Sequence, residues 1–206
     1  MKTEIVRINS ELNGKKNAVS AADYFNRING ITGKNAAHIR LLTEELISLV
    51  HGIMDGFLGI LWLEDVPAEG GLLCRISLSA QNVKDPSQET RLLSIATEGK
   101  NENSEGMLGM IRELFRMNSR YSADRSQLAA LLNANERFVK GSAGASAEEL
   151  LWSLDKYRRS MTGDAGGSDD ERDVLEKSII ANLADDVKVW IRSDSTEVII
   201  EKLIRL

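Results

Sequence analysis

The sequence predicts an α+β fold, a two-layer sandwich in which helices cover one face of a mostly antiparallel sheet, with a helical insertion. Three observations point there. Strand-like runs come in adjacent pairs, FLGILWLED with LLCRISLSA and VKVWIRS with TEVIIEKLIRL. Helical runs lie between those pairs instead of alternating one for one with strands, which disfavours a doubly wound parallel sheet. The stretch from Ile39 to Leu63 opens with Ile39, Leu42, Leu46, Leu49, Val50, Ile53 and Phe57 at steps of three and four, the period of one buried helical face.

Taken in order, Thr3 to Ile8 reads as a short first strand, with β-branched Ile5, Val6 and Ile8 among polar residues. After the turn-rich ELNGKKN, Ser20 with Asp23 three residues on is positioned to cap a helix carrying Ala22, Phe25 and Ile28 and ending near Gly30. Thr32, Gly33 and Asn35 separate it from the central helix, which stops around Asp55 and Gly56. FLGILWLED is then a strand and VPAEGG its hairpin turn. In LLCRISLSA, Leu73, Arg75, Ser77 and Ser79 alternate with Cys74, Ile76, Leu78 and Ala80, the pattern of a half-buried partner strand.

From Ser87 the sequence reads as helical with polar joints. One helix begins at Ser104 and carries Met107, Leu108, Ile111, Leu114 and Phe115; a second starts near Ala123 and carries Leu128, Leu131, Leu132, Phe138 and Val139. A third opens with a capping box, Ser146 to Glu149, and carries Leu150, Leu151, Leu154 and Tyr157. GSAGAS and TGDAGGSDD are flexible joints. Residues 87–168 thus form a helical insertion within a single domain spanning 1–206. A further helix follows the acidic start Asp169 to Asp173, with Val174, Leu175, Ile179, Ile180 and Leu183 as its buried face; it ends at ADD, and two strands close the chain.

A chain of 206 residues, 42% hydrophobic, is long enough for one core with a satellite. The net charge of -5 opposes a nucleic-acid or anionic-membrane partner, both of which need a basic footprint. Residues 104–160 hold nine Lys or Arg against seven Asp or Glu, and Arg112, Arg116 and Arg120 step along one helix, a count that more simply describes a solvated face. MLGMIRELFRM could offer a soft apolar surface to a partner, although core packing is its commoner use. The longest apolar run, FLGILWL, is too short to span a bilayer, and MKTEIVRINSELNGKKN lacks the apolar core of a signal peptide. A cytoplasmic setting also suits the single cysteine, Cys74, read as a buried hydrophobe. His38 and His51 have no partner at metal-ligand spacing, so no metal site is expected. P-loop and nucleophile-elbow motifs are absent.

At roughly 100° per residue, Glu44 falls opposite the apolar stripe of the central helix, whereas Glu45 sits at its edge, near Leu49 and His38. A carboxylate at that border is partly desolvated, which makes Glu45 the strongest candidate for chemistry. The plain alternative is a solvated flank.

RLLTEELISLVHG resembles the helix that opens the nucleotide site of the histidine-kinase-like (GHKL) ATPases, most closely their anti-sigma-factor serine-kinase branch. VLEKSIIANLADDVKVWIRSDSTEVIIEKLIRL is similar to that family's last helix and hairpin. The resemblance covers roughly residues 1–83 and 169–206 and sets Glu45 on the family's general base; the insertion takes the place of the nucleotide lid. It also implies degenerate motifs. The metal-binding asparagine position is Leu49, with Ser48 one residue earlier; the adenine-binding Asp-x-Gly position is SAQNV, starting beside Ala80; DVLEK replaces the phosphate-binding glycines. Two functions follow from the resemblance. One is a regulatory module that has lost its ATP and magnesium site and binds a sigma factor or an anti-anti-sigma-like regulator in a bacterial signalling circuit, with room for a homodimer. The other is a working ATP-binding serine kinase, with Glu45 as base and Arg112 and Arg116 standing in for part of the magnesium charge.

Overall fold

The computed structural model describes residues 1–9, 11, 14–54, 56–82, 139–140, 150–155, 158–159, 178–191 and 195–205. The helices predicted around Met107 to Phe115 and Leu128 to Leu132 lie outside them, as do Arg112 and Arg116. Seven strands form one sheet among the described residues: β1 (Val6–Asn9), β2 (Phe57–Ala68), β3 (Gly71–Asn82), β4 (Val139–Lys140), β5 (Leu150–Ser153), β6 (Asp186–Ile191) and β7 (Thr196–Ile204). Their spatial order is β1-β2-β3-β7-β6-β5-β4, and every neighbouring pair is antiparallel. Among the described residues, the helices α1 (Lys15–Ile28), α2 (Gly33–Ile53) and α3 (Ile179–Leu183) pack on the sheet or on each other. The chain is therefore an α+β two-layer sandwich.

Alternation along the strands fixes which side the helices cover. Leu61, Leu63, Ile76, Leu78, Val198, Ile200, Val187 and Val189 are no more than 1% exposed, and the strand registers put them on one face. Onto that face α2 brings Ile39, Leu42, Leu46, Ile47, Leu49 and Val50, and α1 brings Ala18, Ala22 and Phe25. Each fully buried leucine or isoleucine contributes about 2 kcal/mol by leaving water. Cys74 belongs to this core, and its neighbours on β3 alternate as the sequence predicts, except that Ser77 is also shut from water.

Several boundaries differ from expectation. α1 starts at Lys15, so Ser20 lies inside it and its hydroxyl donates to the Lys16 carbonyl instead of capping the helix. The turn into α1 is made by Gly14, at φ 95°, where a Cβ would collide with the Arg7 carbonyl. Ile28, at the far end of α1, is 39% exposed and so stands off the core. In the first strand, Ile5 is 55% exposed and β-pairing proper begins at Val6, preceded by one bridge from Lys2 to Glu64. The hairpin turn contracts to Glu69 and Gly70, because Val66, Pro67 and Ala68 pair with Leu73, Leu72 and Gly71.

Val139, Leu150 and Leu151 were expected in helices, yet they belong to strands. Leu150 to Ser153 pair with Ile191 to Lys188, and Val139–Lys140 with Leu151–Leu150, so the sheet continues into the segment read as a helical insertion. Trp152 and Leu154 then bury fully at that end of the core. The tie is completed by Asp186, whose carboxylate accepts from the Ser153 hydroxyl at 3.1 Å, the Asp155 amide at 3.0 Å and the Val187 amide at 2.8 Å. On α3, Ser178 caps the helix by accepting from the Ala181 amide, and Ile180 and Ala181 are buried. Ile179, predicted on the buried face, is 42% exposed, and Val174 and Leu175 lie outside the described residues.

Candidate functional site

α2 carries the residues on which a nucleotide site would depend. Glu45 is half-buried on its edge and makes no hydrogen bond or ion pair with another described residue. Glu44 is half-buried as well, and not opposite the core as the simple wheel places it. Thr43 and Ile47 are both fully buried, which widens the covered arc of α2 until Glu44 borders it from the other side. Glu44 accepts from Arg40 at 3.5 Å, and Arg40 also reaches Asp23 on α1 at 3.5 Å. The two carboxylates thus differ in company more than in burial.

The motif positions after Glu45 offer little to a cation. Leu49 is 6% exposed and part of the core, with no oxygen to present. Ser48 is exposed, and its hydroxyl donates to the Glu44 carbonyl at 3.0 Å within the same helix. Ala80, toward the end of β3, is 1% exposed and faces the core beside Gly59 and Thr196. The structure therefore brings Glu45, Ser48 and Leu49 together on one helix, but only Glu45 has a reactive group left unengaged.

At the other end of α2 lies a cavity of about 380 Å³, lined by Lys34, Asn35, His38, Asp185, Lys202, Leu203 and Arg205. α2 supplies the first three, the turn between α3 and β6 supplies Asp185, and the end of β7 supplies the others. Sequence reasoning missed this site, weighing His38 only as a metal ligand. Its members fall in two local groups of three and a lone Asp185, far apart in sequence, and the basic ending KLIRL was the one available hint. His38 is held below the usual histidine range, first by burial and then by the charges of Lys34 and Lys202. Its Nδ1 is shut from water without a hydrogen-bond partner.

Among the described residues no group of three His, Cys, Asp or Glu stands together as metal ligands. No described helix is long and apolar enough to cross a membrane. Burial pushes the Cys74 thiol up to about 12, with Asp65 adding to the shift, so no thiolate nucleophile forms there. Compared with known proteins, the chain matches no family model, no curated protein and no solved structure.

Proposed function

We propose that the chain is a cytoplasmic regulatory module on an ATPase-like scaffold, with a degenerate nucleotide site, that acts by binding another protein. The resemblance in its sequence gives the partner class, a sigma factor or an anti-anti-sigma-like regulator. The observation that carries the reading is Leu49: one turn after Glu45, where a phosphate-bound magnesium ion would need an oxygen, an apolar side chain is sealed into the core. Ala80 supports it at the adenine position, where a methyl group has neither acceptor nor charge for a base edge. Losing both sets of contacts removes most of what an ATP site uses to bind.

A second reading, a working serine kinase, is favoured by the half-buried Glu45, whose carboxylate has no described partner. Calorimetry with ATP, with and without magnesium, separates the two. The regulatory reading expects no magnesium-dependent heat at millimolar ATP, and co-elution with a purified sigma factor or anti-anti-sigma protein. Micromolar, magnesium-dependent binding, together with phosphoryl transfer to serine that disappears in Glu45→Ala, would overturn it in favour of the kinase.

A further inference from the structure

The cavity between the start of α2 and the end of β7 concentrates positive charge in a chain whose overall balance is -5. Lys34, Lys202 and Arg205 face a single carboxylate, Asp185. That carboxylate is already engaged, accepting from the Leu203 amide at 2.6 Å and lying 3.6 Å from the Lys202 ammonium. Lys34 and Arg205 have no carboxylate partner among the described residues. Some cations elsewhere on the fold are neutralised, as Arg40 is by Asp23 and Glu44, and Arg75 and Lys188 are by Glu201. Like charges gathered around a void repel one another, and an anion in the void turns that repulsion into attraction.

We infer that this cavity is a binding site for a phosphoryl group, free as inorganic phosphate or carried on a small phosphate ester. Lys34, Lys202 and Arg205 approach from two elements, which suits a tetrahedral dianion with several acceptor oxygens better than a flat monoanionic carboxylate. A volume of about 380 Å³ lies at the small end of ligand sites, large enough for the group and a compact body. α2 begins at the cavity with no side-chain cap and no acid in its first turn, so its backbone amides add to the same field. The site is also distant from the adenine position, although on α2 His38 stands only two turns before Glu45. Leu203 pairs with Leu73 at the start of β3, and Ala80 lies seven residues further along that strand, roughly 23 Å away at the rise of an extended chain.

His38 reports occupancy. It shares the cavity with Lys34 on its own helix, Lys202 from β7, Arg205 just after β7 and Asp185 from the turn before β6. Without an anion, burial and then the charges of Lys34 and Lys202 hold the ring below the usual histidine range. A dianion reverses the local field, and the ring gains a proton as the anion binds.

The chain has two histidines, and the exposed His51 serves as an internal reference. Ring resonances of both are followed by NMR through a pH titration, in chloride and in millimolar inorganic phosphate at equal ionic strength. The expected result is an upward move of the His38 midpoint in phosphate with His51 unchanged, and phosphate affinity about tenfold weaker in the Lys34→Gln/Arg205→Gln variant. Lys16→Gln, an exposed change on α1, is expected to leave the affinity as it was. Glycerol phosphate binding more tightly than inorganic phosphate assigns the site to an ester, and equal or weaker binding assigns it to the free anion. No phosphate-dependent move of His38, an equal move of His51, or equal weakening by Lys16→Gln would each overturn the assignment.

Discussion

Arg75 Nε lies 2.9 Å from Oε1 of Glu201, directly across the β3–β7 pairing. The other carboxylate oxygen of Glu201 meets Lys188 Nζ at 2.7 Å, so one acid bridges β3 and β6 over the intervening β7. Glu201 is only 8% exposed, on the face of the sheet turned away from the helices. Removing it leaves Arg75 with only Glu64 and Lys188 with only Asp186, each at 4.0 Å. Glu201→Ala is therefore expected to lower stability by about 2 kcal/mol, less than a fully buried pair because Arg75 is partly solvated. Urea denaturation should show the lower midpoint, and Arg75→Met in the same background should recover part of it.

Leu49→Asn tests whether the position after Glu45 can regain a ligand. Its side chain points into a packed core, so the amide would be buried without partners in place of the leucine's apolar contacts. The expected cost is about 3 kcal/mol of stability and no gain in magnesium-dependent ATP binding. Calorimetry on a folded sample settles the second half, and a gain in binding would show that α2 can rotate this position outward.

His38 links stability to pH. Its folded pKa lies below the unfolded value of 6.5, so the unfolded chain binds the proton more readily. The contribution is whole above pH 6.5 and is lost as pH falls below that value through the folded pKa. His38→Gln should flatten this part of the stability–pH curve, read from denaturant midpoints measured in chloride buffers.

Cys74 should resist thiol reagents in the native protein. It is fully buried, and its thiol remains protonated at neutral pH. Labelling is expected only through unfolding, so its rate should rise with urea in step with the loss of structure.

How far the sequence could be read depended on where each element found its partners. α2, the β2–β3 hairpin and the β6–β7 hairpin declare themselves, because each buries a stripe of its own period against a large core. β5 does not. Leu150, Leu151 and Leu154 following Ser146 and Glu149 satisfy a capped helix as well as a strand, and four residues are too few for periodicity to choose. What decides for a strand is the edge of β6, which lies more than thirty positions further on, as in Leu150 with Ile191. The start of α1 was hidden for a different reason, since Gly14 turns the chain through its backbone and leaves no capping side chain to recognise. The half-buried edge position of Glu45 was legible from helical geometry alone, whereas the equal burial of Glu44 was not. The basic cavity was not, because Lys34 and Arg205 meet only after the sheet has closed.

That closure has an implication for how the protein is made. β7 sits between β3 and β6, and its pairs with β3 run from Ala80 with Thr196 to Leu72 with Ile204. On the ribosome, β3 emerges with one edge open and waits for more than a hundred residues before its neighbour exists. At ordinary elongation rates the wait is on the order of ten seconds, during which Ile76 and Leu78 border an unpaired strand edge. A nascent chain of this topology is a natural client for chaperones that shield β-edges, and slowing translation past β3 should raise its aggregation.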